Sequence, residues 1–343
     1  MKYISFADTF IIEVNDEVSN KSINFLLDEF KYDLINSSLM LPVVGCVSVD
    51  LNLTIPKDAI ELRKGILFET KDSLWIKNES NLIRINVDLN KFHVTIGPKS
   101  NPSILFYTVE MLIRFFSPIY GLVLLHAGGF IFNGKVNVIC AFGGVGKTEV
   151  TIRAVEHGAK FLADDLIIVD REGNIFPYTK RINLCEYPYN DQMLKLLGKN
   201  KYLYAIKEHC AAKGGRFWGR IACFLEARYF ASYIDYVDVQ QSLTSRMKYR
   251  VDKLYWVESS GITREREICS DEFVSKMMLC LELESRRYFD YDGYLRLKYP
   301  FLSDYKNIQQ EIISAISQIL KVRGLLVKSR NFDELYELIT SLN

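Results

Sequence analysis

"LHAGGFIFNGKVNVICAFGGVGKTEV", Leu125–Val150, is the stretch on which the reading of this chain turns. Asn133-Gly134 is a strong hairpin signal, because both central residues of a type I′ turn need positive φ; Phe130-Ile131-Phe132 and Val136-Asn137-Val138 flank it. The second arm, "VNVICAF", has the length and apolarity of a buried strand and runs directly into "AFGGVGKT", Ala141–Thr148. That octet fits the P-loop template with Ala141 in place of the first glycine. Gly143, Gly144, Val145 and Gly146 would turn successive backbone N–H groups onto phosphates. Lys147 would reach the β- and γ-phosphates, and Thr148 would hold Mg²⁺ while opening a helix whose positive end faces the anion. "TEVTIRAVEH" reads as that helix, stopped by Gly158 as an αL cap. An antiparallel partner feeding into the phosphate strand departs from the all-parallel sheet of ordinary P-loop NTPases, so the expected fold is α/β with a mixed sheet.

Upstream, apolar residues alternate in "CVSVDLNLTI" (Val47, Val49, Leu51, Leu53, Ile55) and in "LIRINVDL" (Ile83, Ile85, Val87, Leu89). This period of two, with "NESN" as a turn, predicts a small, mainly antiparallel β domain over residues 1–103. "SILFYTVEMLIRFF" changes to helical spacing (Leu105, Val109, Leu112, Ile113, Phe116) and opens the second domain, residues 104–343. There the expected elements are a strand at Lys253–Ser259, helices at Asp271–Arg287 and Asp304–Val322, and a terminal strand and helix. Phe115–Gly134 is uncharged and long enough to imitate a membrane span, but Pro118, Gly121, His126, Gly128 and Gly129 break it, so it reads as a helix end followed by buried strand.

Composition narrows the function. With 49% hydrophobic residues and a formal charge of +1 the chain is globular, with no general field to attract DNA or an anionic membrane. Seven scattered cysteines without C-x-x-C spacing read as reduced thiols, and the N-terminal "MKYISFADTFIIEV" is interrupted by Asp8 and Glu13, so the expected location is the cytoplasm. His93, His157 and His209 lack metal-ligand spacing and read as structural. "AAKGGRFWGRIA", with Lys213, Arg216, Phe217, Trp218 and Arg220, reads as an exposed loop, either a lid or an ordinary connection.

The motifs in register resemble a known family. "HAGG" before the hairpin, "GGVGKTE", and "KFLADDLIIVD" after the P-loop helix are similar to the HPr kinase/phosphorylase family and its relatives of the phosphoenolpyruvate-carboxykinase-like fold. The likeness is specific over Gly121–Asp170. It is closer to the HPr-kinase-related proteins of peptide-modification gene clusters than to true HPr kinases, whose longer C-terminal signature is absent here. The resemblance implies a P-loop kinase using ATP and Mg²⁺, with Asp165 as the base for an acceptor hydroxyl, Asp164 on the metal beside Thr148, and His126 orienting or tuning Asp165. Lys147 would act on the transferred phosphoryl group. Glu149 divides between a metal-side role and helix stabilisation, and Arg181, in "FPYTKRINL", between a phosphate contact and a surface ion pair. The acceptor implied is Ser or Thr of a protein or peptide, with a free serine-like small molecule as an alternative. GTP or pyrophosphate as donor, and a homo-oligomer, stay open. The rival of another class is a nucleotide-binding sensor or scaffold that transfers nothing.

Overall fold

The computed structural model describes residues 1–17, 20–36, 40–78, 81–88, 91–178, 182–183, 200–225, 233–234, 247–260, 264–288, 292–299, 305–321, 324–329 and 332–341. The chain forms two compact units, Met1–Thr179 with Ser242–Asn343, and Lys180–Gln241. The protein is mixed α/β.

In the first unit the leading hundred residues build one nine-stranded sheet. Its pairings are mainly antiparallel. Phe10–Val14 with Val43–Val49, and Val43–Val49 with Lys91–Ile96, are the parallel exceptions. The first exception follows from helix Lys21–Glu29, which carries the chain back across the sheet so that the next strand enters in the same direction. Gly45 lies opposite Phe92 and leaves room for its ring: a Cβ there would meet Phe92 Cζ at 2.2 Å.

Helix Pro102–Phe116 follows, with Asn101 accepting from the Ser103 N–H as its cap and Pro102 in its first turn. Leu105, Val109, Leu112, Ile113 and Phe116 are fully buried, as their spacing requires. They share one hydrophobic cluster with the nine-stranded sheet and with Leu122, Leu124 and Ile168 of a second, four-stranded sheet. That sheet pairs Leu122–Leu125, Ile167–Asp170, Asn174–Phe176 and Tyr249–Arg250, all antiparallel. Val123, Leu125, Ile167 and Val169 alternate onto its other face and enter a different cluster. A sheet buried on both faces explains why "LVLL" and "IIV" carry no polar alternation.

The third sheet runs, in spatial order, Lys160–Ala163, Ala127–Phe132, Lys135–Ala141, Lys253–Ser259, Gly324–Ser329 and Arg264–Glu267. Ala127–Phe132 and Lys135–Ala141 form the hairpin read from Asn133-Gly134, whose φ values are 51° and 77°. Lys135–Ala141, Lys253–Ser259 and Gly324–Ser329 are mutually parallel, and the flanking pairs are antiparallel, so the sheet is mixed. Helices cover both faces. Phe273, Met277 and Cys280 of Ser270–Tyr288 and Ala315, Ile316 and Ile319 of Tyr305–Ile319 pack on Val138, Cys140, Trp256 and Leu326. Val150 and Ala154 of Lys147–Glu156 and Leu335 and Ile339 of Phe332–Ser341 pack on Ile139, Tyr255, Val257 and Val327. Lys147–Glu156 ends as its sequence requires, with Gly158 at φ 91°. Among the described residues no helix is long and apolar enough to cross a membrane.

In the second unit, Lys201–Lys213 and Gly215–Leu225 are consecutive helices that pack on each other across Gly214 and Gly215, both at positive φ. The stretch Lys213–Arg220 is therefore the end of one helix and most of the next, not an exposed loop. Ala211 and Ala212 before the two adjacent glycines, and Ala222 after them, are strong helix formers that sustain helix on either side. Lys213 Nζ lies 4.4 Å from the Trp218 ring centroid, within cation–π range.

Candidate functional site

The site forms where two strands break together. Leu122–Leu125 leaves the four-stranded sheet, bends at His126, and continues as Ala127–Phe132 in the six-stranded one. Its antiparallel partner makes the same transfer in reverse: Lys160–Ala163 ends, Asp164 and Asp165 form a bend, and Ile167–Asp170 enters the four-stranded sheet. Leu125 pairs with Ile167 on one side of the break and Gly129 with Ala163 on the other. The Ala127 N–H donating to the Asp165 carbonyl, 3.2 Å, spans the gap. His126 and the two aspartates thus face the same interruption. Asp164 and Asp165 stand in a bend, outside the alternation of an extended strand, because a strand changing sheets gives up its regular pleat.

The hairpin's second strand delivers the glycine loop to the same place. Gly143–Gly146 connects Lys135–Ala141 to helix Lys147–Glu156, with Gly144 at φ 79° and Gly146 at φ 96°, the latter as the residue before the helix. Both conformations are costly for any residue with a Cβ. No heavy atom lies within 4 Å of a Cβ built on Gly144, so it is the backbone conformation, not crowding, that calls for glycine there. Lys147, Thr148 and Glu149 form the first helical turn, where unpaired N–H groups and the positive end of the dipole favour an anion.

Gly128 brings the two halves together. A Cβ at this position would stand 3.0 Å from Thr151 Oγ1 on the loop helix and 3.3 Å from the Asp164 carbonyl oxygen. A methyl there would be tighter than ordinary contact on both, so one or the other must give by a few tenths of an ångström. Thr151 itself donates to the Lys147 carbonyl at 3.0 Å, so the contact bears on the first helical turn.

Lys147 and His126 are both nearly buried, at 7% and 4% exposure. Lys147 Nζ lies 2.8 Å from His126 Nε2, 3.0 Å from the Ala141 carbonyl oxygen and 3.4 Å from that of Phe142. Behind it, His126 Nδ1 is 3.2 Å from Asp165 Oδ1. An ammonium can only donate, so Nε2 accepts and the imidazole proton sits on Nδ1, the nitrogen nearer Asp165. The result is a row from cation through imidazole to carboxylate. Burial pushes the Lys147 ammonium below the usual lysine range, and the Asp165 and Asp164 carboxylates partly offset this. Glu149 Oε1 is 3.8 Å from Arg153 Nη2, a helical pair worth about 0.3–0.5 kcal/mol, which supports its stabilising role.

Of the predicted residues, the structure brings together His126, Lys147 and Asp165, with Asp164 at the same bend and Gly143–Gly146, Thr148 and Glu149 in the adjoining loop and turn. Arg181 lies outside the described residues. Two features had no sequence signal. Cys280, from helix Ser270–Tyr288, places Sγ 3.5 Å from the same Ala141 carbonyl that Lys147 uses. On the strand beside the loop, Glu258 lies 2.5 Å from Lys276 and 3.2 Å from Lys328. Both depend on pairings between distant segments.

Oxygen donors from Thr148 and Asp164 suit a hard cation such as Mg²⁺. Among the described residues no three His, Cys, Asp or Glu side chains form a metal cage, so a cation here would be completed by ligand phosphates and water, the usual habit of Mg²⁺. No protein-family model and no curated protein matches this chain.

Proposed function

We propose that this chain is an Mg²⁺-dependent kinase of the HPr-kinase-like type, moving the γ-phosphoryl group of ATP to a hydroxyl, that of Ser or Thr in a protein or peptide. The observation that supports the reading is the row Lys147, His126, Asp165, in which a buried cation and a carboxylate stand on either side of one imidazole next to the glycine loop. A module that only binds nucleotide needs the loop and its lysine but has no use for the carboxylate beyond it.

The chemistry asks mainly for position and charge. In the P-loop reading, the backbone N–H groups of Gly144–Lys147 and the helix end hold the β- and γ-phosphates. Thr148 and Asp164 would hold Mg²⁺, which when bound would neutralise phosphate charge. The acceptor oxygen forms its bond to the γ-phosphorus as the bond to the β–γ bridging oxygen breaks and ADP leaves with that electron pair. Asp165 takes the acceptor proton, and His126 keeps Asp165 oriented. Lys147 follows the charge on the transferred group.

The test is incubation with γ-labelled nucleotide and size-fractionated cell extract, followed by mass spectrometry of what becomes labelled. Label on Ser or Thr of a polypeptide supports the proposal; label on a metabolite selects the small-molecule alternative. Nucleotide binding without labelling in any fraction selects the sensor or scaffold.

A further inference from the structure

Lys147 has a conformational task that the proposed chemistry does not describe. Its three protons have three acceptors, all from the protein: His126 Nε2 and the carbonyls of Ala141 and Phe142. Two belong to the backbone entering the loop and stay where they are whatever binds. The third is a side chain. At 7% exposure the lysine cannot exchange that partner for bulk water without leaving a buried charge short of an acceptor. A phosphate oxygen arriving in the loop is the natural replacement, being an anion where imidazole is neutral.

We propose that His126 is a positioning residue that couples the two ligand sites: it takes the place of phosphate on Lys147 while the loop is empty, and is released toward Asp165 when nucleotide draws the lysine away. The exchange follows from the geometry. The same ring touches Lys147 through Nε2 and stands 3.2 Å from Asp165 through Nδ1, so it cannot turn to follow the carboxylate without changing its contact to the lysine. At 4% exposure it has little room to do so independently. Nucleotide therefore binds against a competing contact, and the acceptor base gains its final orientation only after nucleotide is present. Binding is ordered, nucleotide before acceptor.

The inference rests on the loop being a phosphate site, and the experiment separates the two. A non-hydrolysable ATP analogue with Mg²⁺ is titrated calorimetrically into wild type, His126→Ala and His126→Gln. The competing contact predicts that His126→Ala binds more tightly than wild type, by roughly three- to tenfold, the equilibrium value of one hydrogen bond. Gln can accept from Lys147 through its carbonyl and donate to Asp165 through its amide, so His126→Gln should bind within about twofold of wild type. A histidine that merely fills the core would give weaker binding in both variants, in step with lost thermal stability. In parallel, ¹⁵N-histidine spectra, assigned with the Gln variant, should show His126 in the Nδ1–H form without nucleotide and a displaced Nε2 resonance with it. Unchanged or weaker binding in the folded Ala variant, or an Nε2 resonance that does not respond to nucleotide, overturns the coupling. Absence of binding in wild type overturns the phosphate site itself.

Discussion

Replacing Gly128 by alanine tests whether the close approach of three elements builds the site. The added methyl would lie 3.0 Å from Thr151 Oγ1, 3.3 Å from the Asp164 carbonyl oxygen and 3.7 Å from that of Ala163. Ordinary contact for a methyl carbon begins near 3.5 Å, so the first two contacts require several tenths of an ångström of separation. Two of the three are backbone oxygens, which yield only if the segment carrying Asp164 and Asp165 moves. Overpacking of this kind costs about 1–3 kcal/mol of stability. A misplacement of about 1 Å can lower transfer by a hundredfold, so a shift of a few tenths should lower it by about tenfold. Nucleotide affinity should change less, because the added methyl reaches the first helical turn only through Thr151 and its bond to the Lys147 carbonyl. Differential scanning calorimetry, analogue binding and a labelled-phosphate assay read the three quantities. If Gly128→Ala is as stable and as active as wild type, the site does not depend on that approach.

Three further outcomes follow from the same physical account. Lys147→Ala should reduce transfer by a hundredfold or more, the order of losing one preorganised charge-stabilising donor, in a protein that still unfolds cooperatively; activity within about threefold of wild type would contradict the P-loop reading. Gly45→Ala, which drives a methyl into the Phe92 ring, should destabilise by about 1–3 kcal/mol and leave nucleotide affinity unchanged, as calorimetry and analogue titration would show. For Glu258, burial pushes the carboxyl up, but hydrogen bonds from Lys276 and Lys328 outweigh it and hold the carboxyl below the usual glutamate range. A folded-state value below the unfolded one gives stability that is present above the ordinary glutamate value and lost as pH falls through the lowered one. The melting temperature of Glu258→Gln should therefore decline less steeply than that of wild type from about pH 6 to about pH 3.

The parts of the fold legible in the sequence are those fixed by local chemistry. Asn133-Gly134 set the hairpin because few other pairs accept two positive φ angles. The spacing of Leu105, Val109, Leu112 and Phe116 set the buried face of a helix, and Ile83, Ile85 and Val87 that of a strand. Where two local signals competed, the pattern misled. "CVSVDLNLTI" alternates through Ile55, yet the strand ends at Val49, because the Asp50 side chain accepts from the Asn52 N–H and turns the chain, leaving Leu51 59% exposed. The parallel pairings of the first sheet carry no local mark, since period two is the same in either direction. For the site, the loop, the histidine and the aspartates were legible as types at intervals. That Nζ of Lys147 reaches Nε2 of His126 was not, because the distance depends on two strands changing sheets at the same level.

The most direct test of the central claim is Asp165→Asn, assayed for nucleotide binding and for transfer in the same preparation. The amide keeps the shape and hydrogen-bonding capacity of the carboxylate but cannot take the acceptor's proton. The account predicts analogue binding with Mg²⁺ equal to or tighter than wild type, through reduced repulsion with the phosphates, while transfer falls by a hundredfold or more, the scale of losing a general base. Binding lost together with transfer would put Asp165 on the metal and move the base to Asp164. Transfer unchanged, with binding intact, would contradict general-base catalysis at this site.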